Sequence, residues 1–419
     1  MIIPSIDIMG GKVVQLEKGS KKILEESDIE ARLRDFTRFG EVAMIDLDAA
    51  MGQGDNSEII EYWVKRYPLR VGGGIRTVER AKRLYQLGAQ HVIIGSAAFN
   101  GNQPNLDFIQ SLESEIGREP ILVSLDTIGG KIAIKGWKET IDATAVEVAR
   151  KFAPHVGGFL VTCVDKEGLL GGTDRGALDA IRDSLKKDFD HIRIVAAGGI
   201  RSVEEIQSLS KGGYDMQLGM SIYKGIVPVS EAFIASIDFS KGLIPTVTRD
   251  TTGQVVMVAN STEESLRKTF ETGLVTYWSR SRNELWTKGL TSGNTQAFVS
   301  VRTDCDSDAI LFTARPEGPA CHTESWSCFG EREYSLFELY DVIKDRFDHP
   351  VAGSYTATLD ADRIRRKINE EAFELVTAKT QEEIVWEAAD LFYFTTAFLA
   401  RNDIGLDAIM NELRKRRKK

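Results

Sequence analysis

The chain has 419 residues, 42% of them hydrophobic, with a formal net charge of −9 and only four cysteines. That length supports two to four domains with proper cores, and the acidic balance argues against a general nucleic-acid surface. No apolar run reaches the roughly 18 residues of a membrane helix, and Met1 to Asp7 enters a folded pattern without a secretory segment, so a cytoplasmic protein with no membrane partner is expected.

Residues 1–240 alternate short β-branched runs with amphipathic stretches. Ile2-Ile3, Val42 to Leu47, Val92 to Ile94, Ile121 to Leu125, Phe159 to Val161, Ile192 to Val195 and Met216 to Leu218 read as strands. Val78 to Leu87 and Val203 to Leu209 read as helices between them, and the alternation implies parallel βα units. The segment also repeats itself. Ser5-Ile6-Asp7-Ile8-Met9-Gly10-Gly11-Lys12 returns as Ser124-Leu125-Asp126-Thr127-Ile128-Gly129-Gly130-Lys131, Gly73-Gly74-Ile75-Arg76-Thr77 as Gly198-Gly199-Ile200-Arg201-Ser202, and Gly95-Ser96 as Gly219-Met220. Two similar halves of roughly 120 residues, each with four βα units, close most naturally into an eight-stranded barrel.

Asp7 and Asp126 fall at the C-terminal ends of corresponding strands, which places two carboxylates across the catalytic mouth. Such a pair can act as base and acid if their surroundings separate their pKa values. The turns at Gly72 to Gly74 with Gly95-Ser96, and at Ala197 to Gly199 with Gly219, can offer backbone N–H groups to phosphate. Glycine at one such turn often serves only conformational relief; two cradles repeated with the aspartates suggest a substrate with a phosphate at each end.

On these residues, together with Asp46-Leu47-Asp48-Ala49-Ala50, Gly52, Asn56 and Gly136-Trp137, residues 1–236 resemble the phosphoribosylformimino-5-aminoimidazole carboxamide ribotide isomerase of histidine biosynthesis. A more distant likeness is to the cyclase subunit of imidazole glycerol phosphate synthase. The resemblance implies a TIM (β/α)8 barrel that performs an Amadori isomerisation of an aminoaldose ribotide, with Asp7 as base, Asp126 as acid and Thr162 assisting. Gly73, Gly74, Gly95, Ser96, Gly198, Gly199 and Gly219 would bind its phosphates. The pattern departs at Thr162-Cys163, at Glu167-Gly168-Leu169 and at Met220, where the family usually shows Thr-Asp, Asp-Gly-Thr and arginine.

Gly242-Leu243-Ile244-Pro245 breaks the barrel pattern, and residues 241–331 read as a small α+β domain. Its expected strands are Val247, Val255 to Val258, Val275 to Trp278, Ala297 to Val301 and Ala309 to Thr313, with one helix at Glu263 to Phe270. A polar loop carries Ser279-Arg280-Ser281-Arg282, Trp286, Lys288-Gly289 and Thr291-Ser292-Gly293-Asn294, residue types suited to phosphate and ribose. Then comes Asp304-Cys305-Asp306-Ser307-Asp308, followed by Cys321-His322 and Cys328. In an extended strand the three aspartates would share one face and Cys305 would point the other way. Carboxylates suit Mg²⁺, and thiolates suit Zn²⁺ with a fourth position left open for hydrolysis.

This segment closely resembles phosphoribosyl-AMP cyclohydrolase, the motifs above matching in order with Gln296 and Gly318-Pro319-Ala320-Cys321-His322-Thr323. The resemblance implies opening of the adenine ring of phosphoribosyl-AMP between N1 and C6. Zn²⁺ would sit on Cys305, Cys321 and Cys328 and Mg²⁺ on Asp304, Asp306 and Asp308, with His322 as proton carrier. Ser279, Arg280, Arg282, Trp286, Lys288, Thr291, Ser292 and Asn294 would hold the substrate, in a site shared across a homodimer. Ala259-Asn260-Ser261 departs from an aromatic and a methionine that usually precede the asparagine.

Residues 332–419 are helical by pattern: Tyr334 to Lys344, Ala361 to Thr377, Thr380 to Ala400 and Leu406 to Lys415. Glu370, Glu371 and Glu374 share one helix face, as do Glu387 and Asp390 on the next. Glu387 and Asp390 border the apolar Leu391-Phe392-Tyr393-Phe394, where like charges need a cation such as Mg²⁺. With Gly353-Ser354-Tyr355-Thr356 they resemble the all-α phosphoribosyl-ATP pyrophosphohydrolases, although Asn369 stands where that family usually has glycine. That resemblance implies Mg²⁺-dependent release of pyrophosphate from phosphoribosyl-ATP, phosphate contacts from Arg363, Arg366 and Lys367, and assembly of copies. Together the three regions imply consecutive steps, in reverse order along the chain; the alternative is a bifunctional hydrolase with a structural barrel.

Overall fold

The computed structural model describes residues 1–17, 21–134, 137–166 and 169–417; Gly136, Glu167 and Gly168, named above, lie outside them. Eight parallel strands close the barrel: β1 (Ile2–Met9), β2 (Val42–Asp46), β3 (Leu69–Gly72), β4 (His91–Ile94), β5 (Ile121–Ile128), β6 (Gly158–Cys163), β7 (Arg193–Ala197) and β8 (Asp215–Leu218). Each pairs with the next, and β8 returns to β1 through Ile2↔Met216. The β3 strand was not among the runs expected from sequence, because Leu69-Arg70-Val71-Gly72 has a charged residue at its centre. Arg70 is nonetheless buried, paired with Glu41 over 2.5 Å.

The repeated Gly-Gly-Lys has a plain backbone reason. Gly10 and Gly11, and again Gly129 and Gly130, all have φ between +54 and +81, as a tight hairpin with two left-handed residues requires. Each hairpin folds a second strand back onto β1 or β5, at Met9↔Lys12 and Ile128↔Lys131. The repeated Arg-Thr and Arg-Ser likewise begin helices: Thr77 and Ser202 accept the N–H of Arg80 and Glu205 as N-caps of Val78–Leu87 and Val203–Lys211. Inside the barrel, Ile3, Ala43, Ile93, Leu122, Leu160, Val195 and Ala197 form one buried layer.

Residues 244–316 form a six-stranded sheet of β9 (Ile244–Arg249), β10 (Val255–Ser261), β11 (Thr276–Ser279), β12 (Glu284–Thr287), β13 (Gln296–Thr303) and β14 (Ile310–Pro316), in the order β12-β11-β10-β9-β14-β13. The β12 strand lies in the segment read as a polar loop. Leu285, Trp286 and Thr287 are only half-buried, Trp286 against the Tyr277 ring, and two apolar residues in a four-residue strand give a weak signal. The sheet is not a separate globule. Its Phe298 and Phe312 belong to the same buried cluster as Phe39 and Phe233 of the barrel.

The last region packs three helices, Leu336–Asp348, Ala361–Thr377 and Gln381–Arg401, around Ile343, Leu359, Ile364, Phe394, Ala397 and Ala400. A final helix spans Leu406–Arg417. No helix among the described residues is long and apolar enough to cross a membrane.

Candidate functional site

Asp7 lies near the C-terminal end of β1, level with Ile45, and Asp126 near the end of β5, in register with Thr162. Strand pleating puts residues two apart on one face, and the Ser-x-Asp of each repeat uses this. Ser5 Oγ donates to Asp7 Oδ1 over 3.1 Å, and Ser124 Oγ to Asp126 Oδ1 over 2.7 Å. Trp137 Nε1 donates to Asp126 Oδ2 over 2.8 Å. Burial pushes both carboxyls up. Asp7 reaches about 6 against the Ser5 bond, and Asp126 rises against the bonds from Trp137, Ser124 and Thr162.

One cavity of about 270 Å³ is lined by Asp7, Asp126 and Thr162 and by Gly73, Gly74, Gly95, Ser96, Gly198, Gly199 and Gly219. The two halves therefore bring every barrel residue expected to act in catalysis or phosphate binding to one mouth. Glycine is required at Gly73, where φ is +89 and a Cβ would lie 2.1 Å from the Asp46 carbonyl oxygen. Gln15 and Gln217, which sequence reasoning missed, line the same cavity; the Gln15 Nε2 and Gln217 Oε1 atoms are buried without a hydrogen-bond partner among the described residues. The only signal for them was their alternation along strands.

In the middle region Asp304, Asp306 and Asp308 do bring carboxylate oxygens within 4.8 Å of one another, as a metal ion requires. They do so on a turn rather than a strand, which corrects the expected geometry. The segment leaves the ladder after Thr303 and rejoins it at Ile310; Ser307 has φ +62, and Asp304 Oδ1 accepts the N–H groups of Asp308 and Ala309.

Cys321 and Cys328 are close enough to influence each other electrostatically, and His322 Nδ1 lies 3.8 Å from Cys321 Sγ. The hydroxyl of Thr323, 3.1 Å from Cys321 Sγ, holds that thiol below the usual range, while burial pushes Cys328 up. Lys288, buried and pulled down by desolvation, is within electrostatic reach of both. Cys305 is elsewhere: among the described residues no cluster within 4.8 Å joins the three cysteines. Cys305 precedes β14 and Cys321 follows it, and the seven residues Ile310–Pro316 span roughly 20 Å. The Trp286 ring lies 5.6 Å from the Arg282 guanidinium, whose Nε donates to Ser279 Oγ over 3.3 Å. Arg280, Thr291 and Ser292 are exposed, and Asn294 is half-buried, its carbonyl against Gly289.

The helical region gathers Glu370, Glu371 and Glu374, and Glu371 with Glu387 and Asp390, each set within 4.8 Å. Glu371 is buried, and the neighbouring carboxylates together with desolvation raise the Glu387 carboxyl. Lys367 is not free for phosphate in this arrangement: its Nζ lies 2.8 Å from Glu370 and 2.6 Å from Glu371. Arg363 stacks 5.3 Å from the Tyr355 ring, and Arg366 is exposed.

A duplicated barrel with paired carboxylates at its mouth, followed by a sheet with an acidic turn and a thiol pair and then by an acid-rich helix hairpin, defines a multifunctional enzyme. Family models agree region by region: histidine biosynthesis protein over residues 1–228, phosphoribosyl-AMP cyclohydrolase over 257–330, and phosphoribosyl-ATP pyrophosphohydrolase over 336–417. The chain belongs to the histidine biosynthesis protein family. It is 42% identical over 206 residues to the histidine biosynthesis bifunctional protein HisIE of Pyrococcus furiosus, covering 45% of this chain and 99% of that protein. It is 39% identical over 239 residues to the 1-(5-phosphoribosyl)-5-((5-phosphoribosylamino)methylideneamino) imidazole-4-carboxamide isomerase of Methanocaldococcus jannaschii, covering 55% and 97%. The histidine biosynthesis trifunctional protein of Saccharomyces cerevisiae is 42% identical over 179 residues, 42% of this chain and 22% of that one.

Proposed function

We propose that the chain catalyses three successive steps: pyrophosphate release from phosphoribosyl-ATP by residues 332–419, ring opening of phosphoribosyl-AMP by residues 241–331, and Amadori isomerisation of the aminoaldose product by residues 1–240. The observation that carries the isomerase reading is the shared cavity. Asp7, Asp126 and Thr162 face it between two glycine cradles, although Met220 replaces the arginine that the family commonly places at the second. In this reading Asp126 donates a proton to the ribose ring oxygen as the ring opens, and Asp7 removes the proton from C2 as the aminoketose forms. Thr162 holds Asp126 in register, and the glycine N–H groups fix the two phosphates.

The donor sets fit the metals that the resemblance implies. Three carboxylates on a turn and the carboxylates grouped around the buried Glu371 suit hard ions, and paired thiols beside a histidine suit zinc. When bound, such ions supply Lewis acidity and lower the pKa of water. Because Cys305 precedes β14 and does not cluster with Cys321 and Cys328, which follow it, the zinc set is completed by Cys305 of a second copy, which makes a homodimer the working unit. Around it, His322 carries protons, Ser279, Arg280, Arg282, Thr291, Ser292 and Asn294 hold phosphate and ribose, and Trp286 offers a stacking face to the base. In the helices, Arg363 and Arg366 contact phosphate, and Lys367 gives up Glu370 and Glu371 when a divalent ion arrives.

The test is to supply purified full-length protein with phosphoribosyl-ATP and follow the products by chromatography. Conversion through to the aminoketose, halted at the aminoaldose in Asp7→Asn, supports the three-step reading. Accumulation of the aminoaldose in the wild type leaves a bifunctional hydrolase with a structural barrel.

A further inference from the structure

The last carbonyls of a helix have no intrahelical partner and carry partial negative charge. At the end of the first barrel helix, α1 (Ile29–Thr37), these groups are met by the middle region. Arg302 Nη2 donates to the Thr37 carbonyl and Nη1 to the Arg38 carbonyl, each over 3.1 Å, and the Val301 N–H donates to the Arg38 carbonyl over 2.8 Å. The same guanidinium donates to the Val301 carbonyl over 2.6 Å, so it ties its own strand and the barrel helix together. An aromatic cluster backs this contact, with ring centroids of Phe39 and Phe270 at 5.1 Å and of Phe270 and Phe298 at 5.3 Å.

Helices of a parallel barrel run back from the catalytic mouth, so the end of α1 lies on the opposite face. Two residues after Arg302 the chain enters the turn that carries Asp304, Asp306 and Asp308. The far flank of that turn is also tied to the segment leaving the barrel: the Asp238 N–H donates to the Ser307 carbonyl over 3.1 Å, and Lys241 Nζ lies 2.9 Å from Asp308 Oδ2. Three like charges on an exposed turn repel one another, yet they lie within 4.8 Å on a turn tied to the barrel on both flanks.

We propose that Arg302 is a positioning residue for the ring-opening reaction. It fastens β13, and with it the Asp304–Asp308 turn, to the closed face of the barrel, which makes the barrel a structural part of that site in addition to its own activity. A planar guanidinium serves two carbonyls at once, which an ammonium does less well. The inference rests on the ring-opening role proposed for the middle region, and its experiment separates the two.

In full-length protein, Arg302→Met is expected to lower kcat for ring opening about tenfold with KM little changed, the scale for losing a support behind metal ligands. Mn²⁺ affinity, read by electron paramagnetic resonance in a Glu371→Gln background that silences the helical cluster, should weaken about tenfold as well. The amides of Asp308 and Ala309 should exchange faster. Isomerisation of supplied aminoaldose stays unchanged, which reports an intact barrel, and Arg302→Lys recovers part of the loss. Wild-type kcat and Mn²⁺ affinity in Arg302→Met would overturn the proposal, and so would an equal loss of isomerisation, which would mark a general folding defect. If the wild type itself fails to open the ring, the functional reading falls, while Mn²⁺ affinity and amide exchange still decide whether Arg302 sets the turn.

Discussion

Trp137 donates its indole N–H to Asp126 over 2.8 Å, and this bond, with that from Thr162, distinguishes Asp126 from its counterpart Asp7 in the other half of the barrel. Both accept a serine hydroxyl from two positions earlier, and both are pushed up by burial. Removing the indole donor in Trp137→Phe leaves Asp126 with less support for its charged form, so its carboxyl rises further. Isomerisation should fall about tenfold, the worth of one hydrogen bond to a charged group, and its pH profile should move on the Asp126 limb only. An unchanged profile would show that the bond does not act on Asp126.

Asp7 gives a pH dependence of known sign. In the role of base proposed for it, Asp7 must be ionised, so kcat/KM for isomerisation should decline below about pH 6, where Asp7 takes up its proton. The same shift bears on stability. A carboxyl whose folded pKa lies above its ordinary value of 3.8 stabilises the fold below that value, and the contribution is lost as pH rises through about 6. Asp7→Asn should therefore raise the stability of the barrel at pH 8 and not at pH 3. The gain is at most about 3 kcal/mol, less where water in the mouth reaches the carboxylate; thermal unfolding at the two pH values measures it.

Cys321→Ser should remove zinc and ring opening together while isomerisation of supplied aminoaldose persists. Metal analysis alongside the two assays reads this directly. Full zinc content with full ring opening would remove Cys321 from the ligand set.

Glu371 is the buried member of both helical carboxylate groups and the partner of Lys367 at 2.6 Å. Glu371→Gln should lower Mg²⁺-dependent pyrophosphate release about a hundredfold or more, without change in ring opening of supplied phosphoribosyl-AMP. Retention of release would transfer the metal role to Glu387 and Asp390 alone.

The acidic turn is tied to the closed face of the barrel, beside Lys241, and Asp7 with Asp126 lies at the mouth, so the two sets of carboxylates belong to opposite faces of the barrel. Unlabelled aminoaldose added during turnover of labelled phosphoribosyl-AMP should dilute the aminoketose fully. Undiluted label would indicate transfer between copies.

Much of this protein was legible along the chain because its signals are local. Ser-x-Asp pairs follow from the strand period, Gly-Gly turns from the need for positive φ, and Arg-Thr or Arg-Ser from helix capping. Each can be read within a few residues, and the repeat doubled it. The acidic faces of the helices followed in the same way from a period of three to four. What the tertiary structure alone decided depends on residues distant in sequence. A charged β3 was hidden because Arg70 is paired in the interior by Glu41 from another loop. The aspartates converge on a turn, since Asp304 can bond the amides of Asp308 and Ala309 only when the ladder ends. The three cysteines, near neighbours in sequence, do not converge within one chain, Cys305 preceding β14 and the other two following it, and the middle sheet is joined to the barrel by Arg302 and a shared aromatic core. Local spacing carries no record of such separations and dockings, because they are set by how whole elements pack.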